Sequence, residues 1–159
     1  MFTKMEYQGT TNEQYDLLIK QLNALLDGEK DLIANLSNAS SLLNQFLVNI
    51  NWVGFYLFKE GELVLGPFQG LPACIRIPMG KGVCGTSALN RKTIVVEDVH
   101  LFPGHIACDA ASNSEIVIPL IKNDELIGVL DIDSPIKNRF TNEDKEGLEK
   151  FVQALQYHI

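Results

Sequence analysis

Near the start of the chain, apolar residues recur at helical spacing. Tyr15, Leu18, Ile19, Leu22, Leu25 and Leu26 mark one face of a first helix. Thr11 or Asn12 is placed to cap it, and Asp27-Gly28 to stop it. Leu32, Ile33, Leu36, Ala39, Leu43, Phe46 and Leu47 mark the face of a second. The period then changes to two. Trp52 to Phe58 and Leu63 to Phe68 read as strands joined by the turn Lys59-Glu60-Gly61-Glu62. Ile75 to Ile77 is a short extended piece before Pro78, and Gly80, Gly82 and Gly85 mark a loop that opens a short helix through Ala88. Thr93 to Glu97 is a further strand, and residues 98–113 form a long loop. Ile116 to Lys122 and Glu125 to Ile132 pair as a hairpin across Asn123-Asp124. Thr141 begins a final helix with Asp144 as its capping-box partner. This order predicts an α+β fold, a single domain over residues 1–159. Its antiparallel or mixed central sheet has N- and C-terminal helices packed on one face.

The 159 residues are 46% hydrophobic and 21% charged, and bury a core without disulfide or metal scaffolding. A net charge of −7 repels phosphate backbones, so nucleic acid is not an expected partner. The opening MFTKMEYQGTTNEQ lacks an apolar secretory core, and no apolar run reaches the roughly 20 residues that span a bilayer. A cytoplasmic location without membrane association is expected, where thiols are kept reduced. In that setting the three cysteines, Cys74, Cys84 and Cys108, argue against a disulfide framework. Their gaps of 9 and 23 residues suit a zinc site poorly, and no metal is expected. Burial as small hydrophobes is the commoner fate of single cysteines.

Some positions suggest chemistry. Trp52, Gly54 and Tyr56 share one strand face and could wall a hollow, because Val53, Phe55 and Leu57 already supply an apolar opposite face for the core. Asp131 and Asp133 also share a face, opposite Leu130 and Ile132. If that face is enclosed, one carboxyl has a raised pKa and can donate a proton to a developing oxyanion. Glu115 starts the strand seven residues after Cys108; if the two strands are neighbours, three carboxyls and a thiol converge. His100 and His105 share the Cys108 loop, but a third group to orient a Cys-His pair is not evident. The glycines around Lys81 do not have phosphate-loop spacing; they form a tight turn, or present backbone N–H groups to a small anion such as a carboxylate.

The stretches NWVGFYL (51–57), CIRIPMGKGVCGTSA (74–88), VEDVHLFPGHIACDAASNSE (96–115) and VLDIDSP (129–135) closely resemble the free methionine-(R)-sulfoxide reductases, single-domain members of the GAF family. The block GHIACDAASNSE is specific to that branch. The resemblance implies Cys108 as nucleophile, Cys74 as the main resolving cysteine and Cys84 as secondary or dispensable. It implies Trp52 and Tyr56 around the substrate methyl and side chain, and Glu115, Asp131 and Asp133 around its ammonium and sulfoxide oxygen. The chemistry needs no cofactor. A thiolate attacks the sulfoxide sulfur, a carboxyl protonates the departing oxygen, and the resulting sulfenic acid condenses to a disulfide. Thioredoxin or a similar dithiol then reduces it. Free methionine-(R)-sulfoxide is the expected substrate, and a homodimer is compatible with the sequence. Two rivals differ in class: a non-catalytic GAF module sensing a small ligand, and a thiol peroxidase or redox sensor using the same cysteines.

Overall fold

The structure, a computed structural model, describes residues 2–106 and 108–159. Ala107, inside the GHIACDAASNSE block, and Met1 lie outside the described residues. The chain order is α1 (Thr11–Leu26), α2 (Leu32–Phe46), β1 (Trp52–Lys59), β2 (Glu62–Gly70), β3 (Arg76–Pro78), α3 (Gly82–Asn90), β4 (Ile94–Val96), β5 (Ser114–Lys122), β6 (Glu125–Ser134) and α4 (Asn142–Gln156). A single 3-10 turn, Val99–Leu101, interrupts the long loop. Helices α1, α2 and α4 start on side-chain caps. Thr10 accepts from the Glu13 N–H, one residue earlier than the expected Thr11 or Asn12, and Asp31 accepts from Ala34. Thr141 and Asp144 form the reciprocal capping box of α4.

The six strands form one antiparallel sheet in the order β3-β2-β1-β6-β5-β4. Its two long hairpins turn on two-residue loops with both residues at positive φ: Glu60 and Gly61, and Asn123 and Asp124. That backbone matches the twist of the flanking strands, which fixes the register on either side. The alternation predicted for the strands then sorts their residues between two faces. Val53, Phe55, Ile116, Ile118, Leu130 and Ile132 point to one face and are buried beneath α1, α2 and α4. There Tyr15 of α1 donates its hydroxyl to Asp144 of α4 at 2.7 Å, and its ring lies where a Cβ on Gly147 would stand. The N- and C-terminal helices thus share one face, as expected.

β3 and β4 occupy opposite edges of the sheet, so the chain between them must cross it. It crosses on the second face as α3, which packs against β5 and β6. A smaller core forms there from Trp52, Tyr56, Val83, Ala88, Val117 and Val129. This crossing sets a helix carrying Cys84 over the middle of the sheet. The loop returning from β4 to β5 is tied down at its end. The Asn113 N–H donates to the Ser134 carbonyl, and the Asn51 amide donates to Asp109 at 2.9 Å and Ser112 at 3.1 Å. Among the described residues no helix is long and apolar enough to cross a membrane.

Candidate active site

Strand alternation places Val129, Asp131 and Asp133 on the face opposite Leu130 and Ile132, beneath α3. In the β5–β6 ladder Glu115 stands directly opposite Asp133. The expected neighbourhood of the two strands is therefore present. Glu115 and Asp131 are buried, and Asp133 is half-buried. From α3, the Cys84 Sγ reaches to 4.0 Å from Glu115 Oε1. The ligating atoms of Cys84, Glu115 and Asp131 all lie within 4.8 Å of one another. His105 brings its Nε2 to 3.8 Å from Glu115 Oε2.

Burial is the main electrostatic influence on this cluster, because it penalises charge in each member. It pushes the Glu115 carboxyl well above its usual range, with Asp131 and Asp133 adding to the shift. Asp133 is raised well above its range by burial and then by Asp131 and Asp109. Asp131 is raised by burial too, but hydrogen bonds from Glu115 and Cys84 oppose the shift. One oxygen of Asp131, Oδ1, is buried with no hydrogen-bond partner among the described residues. The Cys84 thiol is held protonated by burial and by the neighbouring carboxylates.

Aromatic rings form the adjacent wall. Trp52 stacks on Tyr56 with centroids 5.9 Å apart and on Phe68 at 5.2 Å. The Trp52 indole N–H donates to the Leu71 carbonyl, and the Tyr56 hydroxyl donates to the Cys74 carbonyl at 2.9 Å. Gly54 does not open a hollow between these rings. β2 approaches so closely that a Cβ on Gly54 would overlap Phe68 and come 2.9 Å from the Pro67 carbonyl, beside the register shift of β1 against β2. The missing side chain is used for strand contact, and the open space lies beyond the rings.

Cys74, between β2 and β3, is joined by a disulfide to Cys108 of the long loop; their Cα atoms are 5.8 Å apart. Cys74 is half-buried and Cys108 exposed, while Cys84 is a free, buried thiol. Disulfide, aromatic wall, carboxyls and the first turn of α3 all line one cleft, which encloses about 550 Å³ of empty space including its open mouth. Lys81 supplies no side-chain cap to α3, so the backbone at Gly82, Val83 and Cys84 faces the cleft without one.

Trp52, Tyr56, Glu115, Asp131 and Asp133 line this cleft and Gly54 does not; all three cysteine segments reach it, although Cys74 itself only borders it through Ala73. Of the two loop histidines, His105 enters the site. His100 lies outside it in an exposed pair with Asp98, whose carboxyl is held down to about 2 by Lys137 and His100. The sequence reading missed Phe68, Asn51, Asp109 and Ser112. Phe68 was legible as an aromatic at the end of a hairpin strand. The other three gain meaning only once the loop end is seen against β1.

Residues 25–159 match the GAF domain family. Over 144 residues the chain is 55% identical to the free methionine-R-sulfoxide reductase of Escherichia coli, spanning 91% of this chain and 87% of that one. The structure of Staphylococcus aureus fRMsr in complex with substrate is 55% identical, covers 97% of this chain and 99% of that one, and superposes with a TM-score of 0.88. The free methionine-R-sulfoxide reductase from Neisseria meningitidis, also in complex with its substrate, is 39% identical over 99% of this chain and 95% of that one, with a TM-score of 0.94. The chain belongs to the GAF family and, within it, to the free methionine-R-sulfoxide reductases.

Proposed function

We propose that this protein, as a single GAF domain over residues 1–159, reduces free methionine-(R)-sulfoxide to methionine. The observation that carries the reading is the Cys74–Cys108 disulfide on the cleft that holds three buried carboxyls. In the dithiol form, the Cys108 thiolate attacks the sulfoxide sulfur. The sulfoxide oxygen takes protons as its bond to sulfur is transferred, leaving methionine and a sulfenic acid on Cys108. Cys74 attacks that sulfenic sulfur and water departs, forming the disulfide. Two thiols lose two electrons and the sulfoxide gains them.

The carboxyls divide the remaining work. Burial raises Asp131 as well, but hydrogen bonds from Glu115 and Cys84 oppose that shift and leave it less raised than the other two, so of the three it carries the negative charge and its unpartnered oxygen accepts from the substrate ammonium. Glu115 and Asp133, raised furthest, keep protons for the sulfoxide oxygen. Trp52 and Tyr56 enclose the methyl group, and backbone N–H groups at the start of α3 receive the free carboxylate. Cys84, protonated and buried, serves the acidic cluster and stands behind Cys74 as a resolving thiol.

A dithiol protein of the thioredoxin kind returns the disulfide to thiols. Exposed Cys108 and the exposed apolar Leu71 and Ile75 beside the disulfide suit such a partner. Reduction in every cycle requires a reducing compartment, which places the work in the cytoplasm. The test is thioredoxin-coupled turnover with methionine sulfoxide against hydrogen peroxide. Turnover with the sulfoxide alone supports the reading; turnover with peroxide alone makes the protein a thiol peroxidase.

A further inference from the structure

Residues at the start of β1 reach both halves of the disulfide. On the Cys74 side, the Tyr56 hydroxyl donates to the Cys74 carbonyl and the Trp52 indole N–H to the Leu71 carbonyl. On the Cys108 side the contact comes from Asn51, the residue just before the strand. We infer that Asn51 is a positioning residue for the redox couple: acting through Asp109, its amide holds the Cys108 loop beside Cys74 and so favours the disulfide over the dithiol.

Three observations carry this. The first is that Asn51 is itself anchored, because its backbone N–H donates to the Asp133 carbonyl at 2.9 Å. The second is its grip on the loop. Asn51 Nδ2 donates to Asp109 Oδ2 at 2.9 Å and to Ser112 Oγ at 3.1 Å, while Asp109 Oδ1 accepts the Ala111 N–H at 2.8 Å. A carboxylate only accepts, so the amide nitrogen must face it. That leaves Asn51 Oδ1 buried without a partner among the described residues, a cost that shows the loop bonds decide how the amide points. The third is place in the chain. Asp109 directly follows Cys108, which is exposed. Among the described residues this is the hydrogen bond from outside the loop that lies nearest to Cys108.

Closing a disulfide costs the freedom of the chain that carries its two sulfurs. A tether that already orders the Cys108 segment in the dithiol form lowers that cost and raises the effective concentration of one thiol at the other. The tether is charge-assisted, which makes it stronger than a neutral pair. The inference deepens the reading of Cys74 and Cys108 as the redox couple and rests on it. Its test needs no sulfoxide, so its failure and that of the substrate reading are distinguishable.

The full chain is equilibrated with glutathione buffers of known composition, and the disulfide fraction is read by thiol alkylation and mass. Reduction breaks the Cys74–Cys108 bond and places two electrons and two protons on its sulfurs, while two glutathione thiols join as a disulfide. Asn51→Asp keeps the size of the side chain but loses both donors and sets a carboxylate against Asp109. It should move the equilibrium towards the dithiol by about tenfold or more, which is about 30 mV. Asn51→Asp combined with Asp109→Asn reverses donor and acceptor and should recover most of that shift, which general loosening of the fold would not do. Asp109→Ala breaks the same bond from the loop side and should shift the equilibrium in the same direction, whether or not the Asn51 variants fold. A wild-type equilibrium in folded Asn51→Asp or in Asp109→Ala would overturn the inference. So would a reversed pair no better than Asn51→Asp alone.

Discussion

Glu115 on β5 and Asp133 on β6 face each other across the antiparallel ladder, and both carboxyls are held well above their usual range. Like charges at directly opposed positions disfavour one another, and burial removes the water that would screen them. The protonated forms of these groups are therefore favoured, and an acid is available where the cleft meets the sheet. The arrangement follows from one register, because a shift of β6 by a single residue would turn Asp133 towards the apolar core and away from Glu115.

Removing that acid should slow chemistry. Glu115→Gln or Asp133→Asn is expected to lower the single-turnover rate of methionine sulfoxide reduction by about 10²–10⁴, the usual worth of a general acid. Rapid-quench measurement of methionine formed from pre-reduced enzyme checks this. Unchanged rates in both variants would remove the cluster from the mechanism.

The same groups make stability depend on pH. Their folded pKa values lie above the ordinary 4.5 of Glu115 and 3.8 of Asp133, so the folded protein binds more protons than the unfolded chain above pH 4. Stability therefore falls as pH rises through that point towards the folded pKa. Glu115→Gln removes one such group. It should melt higher than wild type at pH 7, by about 2–4 °C, which corresponds to roughly 1 kcal/mol in a chain of this size. The gap should close as the pH approaches 4. Melting curves at pH 4 and pH 7 decide it, and a variant no more stable at neutral pH would mean the carboxyls are not strained by burial.

The cysteines divide by position. Cys108→Ser should abolish single-turnover reduction. Cys74→Ser should reduce about one substrate equivalent and then stall unless dithiothreitol is added. Peptide mapping of the oxidised wild type should find Cys74 joined to Cys108; a Cys84–Cys108 linkage would transfer the resolving role to Cys84.

Outside the site, the packing of α1 on α4 yields a prediction with an unusual sign. Alanine normally stabilises a helix relative to glycine by about 1 kcal/mol. At Gly147 an added Cβ would run into the Tyr15 ring, whose hydroxyl is held by Asp144. Gly147→Ala should therefore destabilise by about 1–3 kcal/mol, the range for overpacked cores. Urea denaturation measures it, and a stabilised variant would show that Tyr15 moves aside freely.

Local features were legible in the sequence. The Thr141–Asp144 spacing and the alternation of β1, β5 and β6 depend on neighbours in the chain, and all three strands face as expected. Thr10, Thr11 and Asn12 are all good caps, so local pattern could not choose among them, and the Glu13 N–H selects Thr10. Gly54 misled because its value lies in the approach of β2, a contact made by another segment. Cys84 meets Glu115 from 31 residues away, and His105 meets it from a different loop. The first meeting depends on α3 crossing the sheet between its two edges and the second on the return of the loop from β4 to β5, which no spacing within a motif reveals. The Cys74–Cys108 pairing was implied by the family resemblance alone.

The central claim, that the site acts on free methionine-(R)-sulfoxide, is tested most directly by kcat/KM for three substrates: the two free epimers, and N-acetyl-methionine-R-sulfoxide methyl ester. In the proposed pose, with the methyl against Trp52 and Tyr56 and the oxygen toward Glu115 and Asp133, only one epimer aligns its sulfur with Cys108. The capped compound offers no ammonium to Asp131, and a charge left unpaired in an enclosed site costs several kcal/mol. The free R epimer should exceed both others by about a hundredfold or more. Comparable values for the free and capped R epimers would contradict the account, because the ammonium would then go unread.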